Sequence, residues 1–266
     1  MKHENCELIR NDRINDELFF LEFAWKGPMP KAGQFFMLRP KRSGVFLGRP
    51  IAAESWECSI NTITFFIAIC GKGTRELADM YGRGPTRPGE EAELIGPLGN
   101  AWTDFLPPAE SLDGKPVALV GGGVGLAPLV ALSCEAPGHD FDVYAGFSVS
   151  PNGKTEQDAF FKTANRGAKN LIIVTEDGLL GRKGLVTDFL QPEKYAAVCT
   201  CGPNAMMKAV AEKCAAVGVP CFASTDRRMA CGVGACLGCT VKTTNGNRRC
   251  CADGPIFNAG EIIFDE

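Results

Sequence analysis

At 266 residues the chain is long enough for two compact domains and a small extra module, and its 45% hydrophobic content is that of a globular protein, not a disordered one. A formal net charge of −3 gives no reason to expect nucleic acid or an anionic membrane as a partner. The N-terminus MKHENCELIRNDRIND is polar, no secretory signal is evident and no window approaches the roughly eighteen apolar residues of a spanning helix, so a soluble, cytoplasmic protein in a reducing compartment is expected.

Up to about residue 105 the chain carries short apolar runs at 18–24, 34–39, 45–53, 62–70 and 92–95, rich in Phe, Ile and Val and punctuated by Gly and Pro. That pattern predicts an antiparallel β-barrel. Two segments within it are not needed to build a barrel. Arg49-Pro50-Ile51-Ala52 is placed at the end of one strand, and Gly71-Lys72-Gly73-Thr74 follows another and precedes Arg75-Glu76-Leu77-Ala78, which reads as helical. A strand, then glycines, then a helix start offers backbone N–H groups to a phosphate, although the same four residues serve equally as a plain turn.

Pro107-Pro108 and the polar SLDGK at 111–115 read as a linker. The apolar run 117–120 has the look of a strand buried on both faces and leads straight into Gly121-Gly122-Gly123-Val124-Gly125-Leu126-Ala127-Pro128, with a helix over 126–134. Further strands at 141–147, 171–175 and 195–200, alternating with helices at 156–164, 185–190 and 205–217, predict a doubly wound parallel sheet. A strict G-x-G-x-x-G is not met: counted from Gly123, Pro128 takes the third glycine's place, which the first turn of a helix tolerates. Glycines after a buried strand and before a helix point to a dinucleotide pyrophosphate, with a simple tight turn as the alternative.

Cys199-Thr200-Cys201-Gly202-Pro203-Asn204-Ala205-Met206 stands at the end of the last long strand, where an open α/β sheet binds its ligand. Its C-x-C lacks partner ligands and reads as buried thiols beside a helix start. Met206 and Met207 read as core on an amphipathic helix closed by Gly218 at C′, and His139, in PGHD, as a surface residue.

The C-terminal stretch MACGVGACLGCTVKTTNGNRRCCADGPIF is the most informative. Cys231, Cys236 and Cys239 read C-x4-C-x2-C, with Cys251 following after eleven residues, the plant-type spacing for a [2Fe–2S] cluster. Gly232, Gly234, Ala235 and Gly238 let a tight loop wrap such a cluster, and TTNGN reads as the tip of a returning hairpin. A zinc site would want two C-x2-C-like pairs, disulfides do not suit a reducing compartment, and plain buried thiols do not explain so much Cys and Gly together. Rieske ligation is excluded, since the only histidines are His3 and His139. Spacing alone leaves open whether Cys250 or Cys251 is the fourth ligand.

With RPIA, GKGT, GGGVGLAP, CGPNAMM and the C-terminal cysteines in that order, the whole chain resembles the ferredoxin–NADP reductase superfamily, and within it the electron-transfer subunits of dihydroorotate dehydrogenase B, through RMACGVGACLGC and CADGPIF. The resemblance implies an FAD-binding barrel, an NAD(H) domain and a [2Fe–2S] module working with a separate FMN-containing dihydroorotate dehydrogenase catalytic subunit in a hetero-oligomer, a heterotetramer, of pyrimidine biosynthesis. On it the flavin motif R-P-x-S falls on Arg49, Pro50, Ile51 and Ala52, departing from the pattern at Ala52, where a hydroxyl is expected. A second flavin stretch falls on Phe66, Ile67 and Ala68, and the pyrophosphate pair on Gly73 and Thr74. The nicotinamide-side motifs fall on Gly121, Gly122, Gly123 and Gly125 and on Cys201, Gly202 and Pro203. The ligand preceding x-D-G-P is matched by Cys251, which favours it over Cys250.

The expected organisation is an FAD barrel at 1–106, an NAD domain at 112–224 and a cluster module at 225–266. Nicotinamide gives up a hydride, a [2Fe–2S] cluster takes one electron at a time, and a flavin does both, so the expected order is NADH, FAD, cluster, external acceptor, with no acid–base residue required. Phe147-Ser148-Val149-Ser150-Pro151-Asn152 holds no Arg for a 2′-phosphate, so NADH is expected over NADPH, with Lys154 the nearest cation. The alternatives are a small subunit of an NAD(P)H–ferredoxin oxidoreductase or hydrogenase complex and, from another class, a non-catalytic redox sensor.

Overall fold

The computed structural model describes residues 1–14, 16–148, 162 and 164–264. The helix expected over 156–164, apart from Lys162 and Ala164, falls outside them, as do Val149, Ser150, Pro151, Asn152 and Lys154.

Six strands, β1 (Lys2–Arg13), β2 (Leu18–Ala24), β3 (Phe35–Pro40), β4 (Arg49–Glu57), β5 (Thr62–Ala68) and β6 (Glu91–Leu98), close an antiparallel barrel in the order β1-β2-β5-β4-β3-β6. β1 lies in the stretch read as a merely polar N-terminus. Only Cys6 and Leu8 of this strand are buried, so no apolar run marks it, yet it pairs with β2 on one side and β6 on the other and thereby closes the barrel. Closure removes the free edges that an open sheet would expose. The interior is aromatic: Trp25 and Phe36 meet edge-on at 5.1 Å, and Phe36 meets Phe65 at 5.5 Å.

The run at 45–53 divides. Val45 tucks inward while Phe46 stands 86% exposed, and the strand begins only at Arg49. RPIA therefore opens β4 instead of ending a strand. A proline, lacking an N–H, is tolerated at such a strand entry.

A linker leads into a seven-stranded sheet ordered β10-β9-β8-β7-β11-β12-β15. Its strands are β7 (Val117–Gly122), β8 (Phe141–Phe147), β9 (Asn170–Thr175), β10 (Arg182–Lys183), β11 (Ala197–Cys201), β12 (Cys221–Ser224) and β15 (Ile256–Asn258). All pair in parallel except β15, which runs antiparallel to β12 and brings the C-terminal segment onto the sheet. Between β12 and β15 lie the hairpin β13 (Thr240–Thr243) and β14 (Gly246–Arg249), formed around the expected TTNGN tip.

Helices cover both faces. α1 (Lys72–Ala78) belongs to the barrel; α2 (Leu126–Glu135) packs with Leu119, Val143 and Phe141 on one face of the sheet, and α4 (Asn204–Ala216) with Val120, Val198 and Ala223 on the other, where the short α3 (Val186–Phe189) also lies. α2 is apolar all round, buried from Leu126 to Leu132, because it is sandwiched between sheet and barrel strand β4. Each fully buried leucine there, such as Leu129 or Leu132, contributes about 2 kcal/mol. A buried carboxylate ties the same interface: Arg166 Nη1 donates to Glu54 Oε1 at 2.6 Å, with Glu54 only 3% exposed. No helix of the described residues is long and apolar enough to cross a membrane.

Candidate functional site

Between barrel and sheet lies a cavity of about 1560 Å³, and most of the candidate residues line it. From the barrel come Arg49, Pro50, Ile51 and Ala52 at the start of β4, and Phe66, Ile67 and Ala68 at the end of β5. Phe66 stacks on Phe20 with centroids 4.5 Å apart, which fixes a flat apolar wall. Gly73 and Thr74 line the cavity at α1. A Cβ on Gly73 would fall 2.2 Å from Arg49 Nε, so the glycine is what lets the guanidinium pass over the start of that helix. Arg49 Nη1 donates to the carbonyls of Leu47 and Gly48 at 3.2 Å each, holding the cation in place. The Thr74 hydroxyl accepts from the N–H groups of Cys70 and Gly71 at 2.9 and 3.2 Å and so shapes the loop from within.

On the opposite wall stand Gly122, Gly123 and Gly125 with Cys201, Gly202 and Pro203. Gly121 does not reach the cavity; it lies beneath Leu126, whose Cδ1 would be 2.8 Å from an added Cβ. β7 and β11 are neighbours in register, Gly121 opposite Cys201, and their successors leave on opposite faces, which makes this the switch-point crevice of the sheet. The two loops touch backbone to backbone. A Cβ on Gly125 would lie 2.5 Å from the Cys201 carbonyl oxygen, and one on Gly122 2.7 Å from Pro203 Cδ. Gly125 has an ordinary helical φ of −62°, so close approach alone demands glycine there. Gly125→Val is therefore expected to raise the KM for NADH about tenfold or more while bound FAD, measured by its absorbance, stays unchanged. Burial pushes the Cys201 thiol up to about 12, so it is neutral at ordinary pH.

The third wall was not foreseen. Ser224, Thr225, Asp226, Arg227, Arg228 and Met229 line the cavity and run directly into the cysteine loop. Burial raises the Asp226 carboxyl above its ordinary range. Their one signal was position, a polar stretch following a short apolar CFAS strand.

In the cysteine loop the thiols form two pairs. Cys239 and Cys251 are both buried, with sulfurs 3.3 Å apart, whereas Cys231 is half-buried, Cys236 is exposed, and the thiol of Cys231 hydrogen-bonds with that of Cys236. Among the described residues no group of three or more His, Cys, Asp or Glu converges as a single-metal centre requires. Two thiol pairs suit two irons, which is the donor set of a [2Fe–2S] cluster. Backbone N–H groups already point at sulfur: Gly234 donates to Cys251 Sγ at 3.0 Å, Cys251 to Cys239 Sγ at 3.4 Å and Val233 to Cys231 Sγ at 3.5 Å. The N–H of Val233, with the other backbone donors and the Cys236 thiol, brings Cys231 down to about 6, so this outer thiol is already a good ligand at neutral pH. Cys250 turns away: its thiol donates to the Thr225 carbonyl at 3.2 Å. Gly234, at φ 81°, needs its glycine for this wrap, and Leu237 takes a left-handed φ of 60° that sequence does not show.

A closed antiparallel barrel, a doubly wound sheet with its switch-point crevice facing the barrel, and a paired-thiol loop beside them define the ferredoxin–NADP reductase class with an iron–sulfur module. The fold is similar to that of the NADH-dependent reduced ferredoxin–NADP oxidoreductase, a structure described for flavin-based electron bifurcation, with a TM-score of 0.79 and 25% identity over 98% of this chain and 90% of that one. It is also similar to the ferredoxin reductase of carbazole 1,9a-dioxygenase, with a TM-score of 0.63 and 17% identity over 82% of this chain and 66% of that one. Residues 226–263 match the iron–sulfur cluster binding domain of dihydroorotate dehydrogenase B. The dihydroorotate dehydrogenase B (NAD(+)) electron transfer subunit of Clostridium acetobutylicum is 36% identical over 98% of this chain and 97% of its own length, and that of Caldanaerobacter subterraneus 35% over 97% and 98%. The chain belongs to this family of electron transfer subunits.

Proposed function

We propose that the chain carries electrons between NAD(H) and a separate FMN-containing dihydroorotate dehydrogenase catalytic subunit, in a hetero-oligomer, by way of FAD and a [2Fe–2S] cluster of its own. The observation that carries this reading is one continuous cavity touched by the RPIA strand, by both glycine turns and by the segment that leads into the cysteine loop. Units at 1–106, 112–224 and 225–266 would then serve flavin, nicotinamide and cluster in turn.

When bound, FAD would accept a hydride and release electrons singly, and the cluster would take them one at a time. The chain's residues supply position and charge. Arg49, beside Gly73, would offer a cation for the flavin pyrophosphate, and Ile51, Ala52, Phe66 and Ala68 would wall its ring, while the Ile67 side chain lies in the barrel core and leaves only its backbone to the cavity. Gly122, Gly123, Gly125 and the Cys201-Gly202-Pro203 turn present backbone without bulk, so a nicotinamide ring can approach the flavin at stacking distance. Cys231, Cys236, Cys239 and Cys251 are the metal ligands in this reading, the first two nearest the surface. Val233 and Leu237, 47% and 62% exposed on the same loop, mark the face where the catalytic subunit would dock.

The test is an anaerobic NADH titration of the purified protein: flavin bleaching followed by a reduced-cluster EPR signal supports the reading, and bound FAD that NADH leaves oxidised defeats it. The TM-score of 0.79 to the NADH-dependent reduced ferredoxin–NADP oxidoreductase favours a second reading, a small subunit of such a complex. The identity of the subunit that co-purifies separates the two.

Ala52 gives a further expected result. Restoring the hydroxyl by Ala52→Ser adds one hydrogen bond of about 1 kcal/mol to the oxidised flavin ring, a fall of roughly 20 mV in a two-electron potential. Spectroelectrochemical titration reads it directly, and a potential that does not fall shows that position 52 does not face the ring.

A further inference from the structure

Electrons that reach the cavity have to cross protein to arrive at the cysteine loop. Thr225 stands where the two meet. It lines the cavity one residue past β12, and the Pro255 carbonyl fixes it there twice, accepting from the Thr225 N–H at 2.9 Å and from its hydroxyl at 3.2 Å. Behind it lies Cys250, fully buried. The Cys250 thiol donates to the Thr225 carbonyl at 3.2 Å, and its sulfur stands 3.5 Å from the Thr225 hydroxyl oxygen.

Cys250 also reaches both of the buried ligand thiols' residues. Its N–H donates to the Cys239 carbonyl at 2.9 Å, and a single peptide bond joins it to Cys251. One residue therefore touches the cavity wall on one side and the inner thiol pair on the other. The rival route leaves the cavity at Met229 and follows the backbone through Ala230 to Cys231, in the outer pair. Filling space does not by itself call for a thiol at position 250, since a small apolar residue would do that; what the thiol adds is a donor for Thr225 and a polarizable sulfur in contact with it.

We propose that the Thr225–Cys250 contact is the bridge by which electrons pass from the flavin site to the inner side of the cluster, entering at Cys239 and Cys251 and leaving for the acceptor on the side of the exposed Cys236. Cys250 is then a positioning residue on the electron path and not a ligand. The assignment rests on the reading above that the chain holds FAD and a [2Fe–2S] cluster. Tunnelling falls off steeply across empty gaps and less through bonded or touching atoms, and the Cys250 sulfur shortens the one non-covalent step of this route. Each NADH gives up a hydride, that is, two electrons and a proton. With ferricyanide outside, the electrons turn two ferricyanide ions into ferrocyanide and the proton goes to water.

The test mixes the full chain, carrying FAD and cluster, rapidly with NADH in the absence of oxygen, and follows flavin bleaching by absorbance and cluster reduction by freeze-quenched EPR. Cys250→Ala is expected to bleach its flavin at the wild-type rate yet to lengthen the lag before the cluster signal severalfold, with iron content, EPR line shape and cluster potential unchanged. Cys250→Ser, which keeps a donor for the Thr225 carbonyl, should shorten the lag again. Where Cys250→Ala does not fold, Cys250→Val fills the space without a donor and is expected to lengthen the lag in the same way. An unchanged lag in a variant with full FAD and iron overturns the bridge and leaves the proposed function standing. A lag that Cys250→Ser does not shorten, or one that comes with a shifted cluster potential, makes the role of Cys250 structural and overturns the bridge as well. A wild type in which NADH reduces neither flavin nor cluster overturns the proposed function itself.

Discussion

Purified alone, the chain is expected to pass electrons from NADH to ferricyanide yet make no orotate from dihydroorotate, and to gain NAD-linked orotate formation only when the catalytic subunit is added. Oxidising dihydroorotate requires a second flavin and a group to take a proton from the pyrimidine ring. In the proposed reading the cavity walls among the described residues serve one flavin, one dinucleotide and the approach to the cluster, which leaves no wall for a pyrimidine. Neither histidine is available as a base there: His3 pairs with Glu93 on the barrel, and the His139 ring lies 3.0 Å from the Pro107 carbonyl, stacked on Phe141. The contrast should be all or none, from no detectable orotate to a turnover of ordinary enzyme size, about 10 s⁻¹. Orotate made by the single chain would overturn the two-subunit reading. Tight binding to a ferredoxin or hydrogenase subunit, with none to a dihydroorotate dehydrogenase subunit, would move the assignment to the second reading.

What sequence disclosed and what it hid divide along a physical line. Strand β2 and the sheet strands β7, β8 and β9 announce themselves because burial makes them apolar runs, and the glycine turns because close backbone contact admits nothing larger. β1 hid because a barrel strand with one polar face and only Cys6 and Leu8 buried carries no run at all. β15 hid because three residues pairing with β12 leave no periodicity to read. The site followed the same division. Arg49, Gly122, Gly123 and Gly125, residue types that answer short-range chemistry, could be named from the sequence and line the cavity, whereas Gly121 lies beneath Leu126 and does not reach it. Ser224 to Met229 line a cavity that barrel and sheet enclose together, and beyond their place after the CFAS strand the sequence does not mark them.

The adjacent thiols at 250 and 251 show how far one residue of register carries. They open the short helix α5 (Cys250–Asp253), so neighbouring side chains point in different directions. Cys251 faces Cys239 and the Gly234 N–H, while Cys250 is buried under Thr225, both its hydroxyl and its carbonyl. Arg249 and Asp253 pin the helix from outside, Nη2 to Oδ1 at 2.7 Å, so a one-residue slip would break that pair as well. Serine at Cys239 or Cys251 is therefore expected to weaken iron binding by a factor on the order of ten to a hundred or more, with loss of the reduced-cluster EPR signal, and Cys231→Ser or Cys236→Ser to act in the same direction from the outer pair. Cys250→Ala should keep both iron and signal, and lower stability by only about 1–2 kcal/mol through its small cavity and the lost hydrogen bond to Thr225. Iron analysis, EPR and thermal melts on the five variants decide the register: a Cys250→Ala protein that folds but holds no iron, beside a Cys251→Ser protein that keeps it, would make Cys250 the fourth ligand.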